Sequence, residues 1–137
     1  ADLSPPPIQR LSELPRETQV ALQELSQGQC HSAASRLRSL REANPDEPRL
    51  YLLEGASFVC AADGRRALIS FDELERAVED RGLKRPRQIP WYRAQALLLE
   101  GDVDGALKSL KEVERVDAQH RSAARTLTRD IEASQMR

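Results

Sequence analysis

The chain has 137 residues, 39 % of them hydrophobic and 31 % charged, with 21 basic side chains against 22 acidic ones. That length fits one domain with a core of its own, and charges that nearly cancel give no global field to attract nucleic acid. No apolar run approaches the roughly 20 residues that a membrane-spanning helix needs.

Aromatics are scarce, so Leu and Ala carry the apolar weight, a composition that suits close helix packing. Residues 1–13 read as an arm, because Pro5, Pro6 and Pro7 forbid helix and favour extended polyproline II. From residue 14 to Gly28 a helix is expected, with Pro15 in its first turn, Glu17 near the positive end of its dipole, and Val20, Leu22 and Leu25 on one side. A second runs from about His31 to Ala43, where Asn44-Pro45 stops it. The third, within PDEPRLYLLEGASFVCAADG, is apolar almost all the way round and is expected to be the most buried. In the fourth, Ala67, Leu68, Phe71, Leu74 and Val78 form a stripe, while Asp72, Glu73, Glu75 and Glu79 are expected to face water. LKRPRQIP is a linker, broken by two prolines. WYRAQALLLEG and the segment after Gly101-Asp102 supply two more helices, and the last segment places Ala124, Leu127 and Ile131 on one face of a seventh. No segment reads as a strand. The expected fold is therefore all-α with seven helices.

The chain repeats itself. Ala67, Phe71 and Leu74 restate Ala33, Leu37 and Leu40 at 34 residues' distance, and Ala106, Leu110 and Val113 restate them again 39 residues later. The additional five residues fit the basic linker Gly82–Pro86. Helix-turn-helix units of about 34 residues stacked in series are the signature of tetratricopeptide repeats. The third unit resembles that family through Trp91, Ala94, Leu97, Gly101-Asp102-Val103, Ala106, Leu110 and Val113. The middle one does so through Tyr51, Gly55, Phe58, Ala67, Phe71 and Leu74, and the first through Ala21, Gly28, Cys30, Ala33, Leu37, Leu40 and Pro45. Three features depart from the pattern: Trp91 falls one place late, Ala62 stands where the middle turn should have glycine, and the middle unit lacks its closing proline.

The resemblance implies repeats over about 14–47, 48–81 and 87–120 and a capping helix over about 118–134, stacked as a right-handed superhelical solenoid in one domain spanning 14–137. Small residues at Ala33, Ala67 and Ala106 would let paired helices approach closely, and Leu37, Phe71 and Leu110 would fill the space between adjacent hairpins. The family's members are protein-binding scaffolds whose first helices line a concave groove. By position, the resemblance puts Thr18, Leu22, Leu25, Arg49, Leu52, Ala56, Val59, Trp91, Gln95 and Leu98 in that groove. With one Arg and no Lys, this surface suits an apolar or amphipathic segment of a protein partner, taken as a helix or as a strand.

Little points to chemistry. His31 and His120 lie in different units without metal-ligand spacing, and read as surface or capping residues. There is no phosphate-binding glycine loop and no carboxylate pair set for acid–base work, so no enzyme, cofactor, metal or small-molecule substrate is expected. The one basic cluster, Arg81, Lys84, Arg85 and Arg87, is either a solvated loop or a contact for an anionic partner.

The two cysteines are not a C-x-x-C pair. Cys30 opens the second helix of the first unit and Cys60 closes the first helix of the second, and in an antiparallel stack those two ends share one edge. A disulfide is expected, the alternative being two buried thiols in a cytoplasmic protein. A disulfide and an N-terminal Ala1 in place of Met both suit a periplasmic or secreted protein that has lost a signal peptide, although a trimmed chain would start the same way. The reading is a scaffold of a bacterial envelope or secretion assembly, with an accessory domain of a longer, catalytic or membrane-attached protein as the alternative.

Overall fold

The computed structural model describes residues 16–136. The arm expected over residues 1–13 lies outside them. Seven α-helices follow one another: α1 (Arg16–Ser26), α2 (Cys30–Ala43), α3 (Pro48–Cys60), α4 (Gly64–Arg81), α5 (Ile89–Leu99), α6 (Val103–Val116) and α7 (Arg121–Gln135). A single 3₁₀ turn, Ala118–His120, leads into α7, and there is no strand among the described residues. The fold class is all-α, as the periodicity predicts. Each helix packs against the next in chain order, and α3 also meets α5.

The helix boundaries follow from local chemistry. Gly28, Gly82 and Gly101 take positive φ (79°, 66° and 77°), which turns the chain out of α1, α4 and α5. Ala62 does the same after α3 at φ 58°, a conformation that a β-carbon makes costly. Asp63 and Asp102 then cap the helices that follow, their carboxylates accepting from Arg66 N at 3.1 Å and Gly105 N at 2.9 Å. Glu47 accepts from the Arg49 amide ahead of Pro48, the first residue of α3.

Two hydrophobic clusters share α3. Ala21, Ala33, Leu37, Leu50 and Leu53 pack together at the N-terminal end, with Leu22, Leu25 and Leu40 against them. Leu52, Ala56, Phe58 and Val59 belong to a larger cluster that runs through Phe71, Leu74, Ile89, Trp91, Tyr92, Leu110 and Val113 to Ala124 of α7. Ala33, Ala67 and Ala106 are fully buried, as are Leu37, Phe71 and Leu110. Phe71 makes contacts on two sides, within its own hairpin and toward the next one. Its ring lies against Gly55 within its own hairpin, where an added Cβ would come 2.7 Å from Cζ, while Arg93 of the next hairpin covers it at 6.0 Å from the centroid.

Of the four acidic residues of α4 expected to face water, Asp72 and Glu79 are exposed, whereas Glu73 and Glu75 are half-buried, and three of the four form ion pairs with other parts of the chain. Asp72 meets Arg93 at 3.0 Å, Glu75 meets Arg85 at 2.7 Å and Glu73 meets Arg41 at 2.9 Å, while Glu79 stays exposed. Arg41 also grips the fully enclosed Glu54, at 2.8 and 3.0 Å from its two carboxylate oxygens. Burial pushes the Glu54 carboxyl above the usual carboxylate range, against the hydrogen bonds from Arg41 that pull it down.

Cys30 and Cys60 form a disulfide with a Cα–Cα distance of 5.7 Å, joining the first turn of α2 to the last turn of α3. Such a bond persists in an oxidising compartment. Among the described residues, no helix is long and apolar enough to cross a membrane.

Candidate partner-binding site

On α5, Trp91, Gln95 and Leu98 are spaced to share one helix face. They meet Val59 from the last turn of α3, Leu127 from α7, and their own neighbour Leu99 around a cavity of about 350 Å³. No charged side chain lines it. Its volume lies at the small end of the range for ligand-sized pockets, about 300–1,000 Å³. Leu99 at its rim is 45 % exposed, one of the few large apolar side chains open to water.

Four of the ten residues placed in a groove by sequence, Val59, Trp91, Gln95 and Leu98, therefore converge on one cavity. The others do not join them. Thr18 and Leu52 are fully buried and offer no surface to a partner, which corrects their placement in the groove. Ala56 is nearly buried in the larger cluster, and Leu22 and Leu25 lie against the N-terminal one. Arg49 is folded back onto Glu47 at 2.7 Å, and this hydrogen bond holds the Glu47 carboxyl below its ordinary range. Sequence reasoning missed Leu127 and Leu99 as lining residues. The apolar face Ala124, Leu127, Ile131 of the last helix carried the signal for the first of them.

Beneath the cavity lies a polar assembly. Of the two expectations for His120, surface or capping, the structure keeps the second: it stands at the N-cap position of α7, buried, with its ring parallel to that of Trp91, 5.0 Å between centroids and 9° between planes. Tyr92 approaches His120 edge-on at 6.3 Å. His120 Nδ1 sits 2.6 Å from the buried Asp117 carboxylate, and the same carboxylate accepts the His120 backbone N–H at the entry to α7. Three polar atoms here have less than 1 Å² exposed and no hydrogen-bond partner: Trp91 Nε1, Gln95 Oε1 and His120 Nε2. The Gln95 amide is held loosely, donating to the Trp91 carbonyl at 3.5 Å, the limit of a hydrogen bond.

No protein-family model, curated protein or solved structure matches this chain.

The remaining sequence candidates lie elsewhere. Arg81 pairs with Asp46 at 2.8 Å, and Arg85 ties the linker to Glu75 of α4 and Glu112 of α6 at 2.7 and 3.3 Å. Their charges are compensated within the molecule, so the basic cluster reduces to the exposed Lys84 and Arg87. A larger polar cleft of about 660 Å³ runs between α1 and α2, where His31 is exposed and Arg36 is bound by Glu17 at 2.6 Å and Glu24 at 2.7 Å. Among the described residues, no three His, Cys, Asp or Glu side chains gather as metal ligands do.

Proposed function

We propose that this chain is a non-enzymatic protein-interaction scaffold of the tetratricopeptide-repeat type, taking an apolar or amphipathic segment of a partner into the groove between its first helices. One observation carries the reading: the uncharged cavity where Val59, Trp91, Gln95 and Leu98, chosen from the repeat pattern, come together. Three hairpins of nearly constant register and a final helix with a polar outer face support the array. The disulfide supports a periplasmic or secreted setting, where a bacterial envelope or secretion assembly is the natural context.

Selection from a displayed peptide library tests this, with the wild type set beside Leu99→Glu. Leu99 is solvent-exposed, so the variant should keep the helical circular dichroism of the wild type. The reading expects apolar sequences to be enriched on the wild type and lost on the variant. Enrichment of acidic peptides that survive Leu99→Glu and vanish on neutralising Lys84 and Arg87 would move the site to the linker.

A further inference from the structure

The bridge between Cys30 and Cys60 joins two sulfurs in unlike surroundings. Cys30 is the first residue of α2 and only 7 % exposed, whereas Cys60 is the last residue of α3 and half-buried. Cys30 therefore sits at the positive end of a 14-residue helix, beside the amides that the first turn leaves unpaired. Gln29 makes no side-chain cap there, and the first turn holds no acidic residue. Cys60 sits at the negative end of its helix, whose last turn has no basic residue. A thiolate released at position 30 is stabilised by its helix, and one released at position 60 is not.

We infer that the disulfide is a polarised modification site: a small-molecule or protein thiol opens it by attacking Cys60, which then carries a mixed disulfide while Cys30 leaves. The attacking thiolate forms a bond to Cys60 Sγ, the bond between the two cysteines breaks, and its electron pair stays on Cys30 Sγ. The thiol's sulfur is oxidised, Cys30 is reduced, and the proton that the thiol lost goes to solvent. Two separate features select this direction. Exchange is faster when the leaving sulfur is the better thiolate, and it needs access to the sulfur under attack. The helix ends meet the first condition, and the unequal burial meets the second. Closure is the same step reversed: the Cys30 thiolate attacks the adduct on Cys60 and expels the thiol. This chemistry does not depend on what the groove binds.

Reduced glutathione, added to the folded wild-type protein, tests this. Samples quenched in acid and alkylated are digested with trypsin, which puts Cys30 in peptide 17–36 and Cys60 in peptide 50–65. Mass spectrometry should find the glutathione adduct on Cys60, with Cys30 alkylated, in about tenfold excess over the reverse. In urea the helix ends and the burial are gone, and the preference should go with them. Gln29→Asp, a substitution at an exposed position, caps α2 and sets a carboxylate against the departing Cys30. It should keep the helical circular dichroism and slow the opening about threefold. An adduct chiefly on Cys30, an even division, or a preference that survives in urea would each overturn the inference. So would an unchanged rate in Gln29→Asp, or no adduct under conditions that open the unfolded chain.

Discussion

Gly55 and Phe71 form the tightest contact between α3 and α4. A β-carbon at position 55 would overlap the fully buried Phe71 ring, so Gly55→Ala should cost about 1–3 kcal/mol by overpacking. Phe71→Ala should cost about 3–5 kcal/mol through lost burial and the cavity left behind. The two losses should not add, because the smaller side chain makes room for the methyl group. Urea unfolding of both single variants and the double one measures that coupling. Glu54 is the other residue whose behaviour follows from its surroundings. Its carboxyl is pushed up by burial in the folded state, so the native protein holds the Glu54 proton more tightly than the unfolded chain does. Stability from this group is therefore fully present below the unfolded pKa, about 4.5, and is lost as pH rises through the higher folded value. The stability difference between the wild type and Glu54→Gln should fall from pH 4 to pH 7. A difference that grows over that range would show that the Arg41 pair outweighs desolvation.

Among the elements, what the sequence made legible was whatever breaks the helical period. Gly28 and Gly101 stand in turns where a positive φ is needed, and Asp102 caps the following helix, so these boundaries can be read directly. Ala62, the departure from the repeat pattern, adopts the same left-handed conformation without glycine's freedom. Ala62→Gly should therefore raise stability by about 0.5–1 kcal/mol, the relief of strain exceeding the added entropy of the unfolded chain. A thermal melt of the variant checks the sign. The groove was less legible because α3 is apolar from Leu50 to Val59 with little polar contrast, so periodicity cannot say which side of it faces outward. Leu52 was misplaced for that reason. The burial of His120 and its pairing with Asp117 were illegible for a different one: two polar residues three apart suggest a wet surface until the structure shows them paired in the interior.

At the scale of the whole molecule, the contacts among the described residues run mostly between neighbours in sequence, and the N-terminal hairpin meets the rest chiefly through α3, with the Arg41–Glu73 ion pair reaching α4. Its small hydrophobic cluster depends on α3, which the disulfide clamps to α2. Closing a loop with a sequence separation of 30 should contribute about 3–4 kcal/mol in the chain-entropy model. Replacing both cysteines with serine should lower the stability by that amount, and thiol titration of the denatured, unreduced wild type should find no free thiol. Amide exchange in the double variant should rise first in α1 and α2, because those helices have the least interior to hold them.

The same covalent bond alters how the chain would respond to a pulling force. Traction on the two ends of the unfolding chain peels helices away and releases their full contour, but the segment between Cys30 and Cys60 is bypassed by the sulfur bridge. With a sequence separation of 30, about 100 Å of chain stays hidden from the load until the bridge is reduced. A single-molecule extension trace recorded before and after adding a reductant should lengthen by that increment, so the unfolded chain has two discrete contour lengths, one with the bridge and one without.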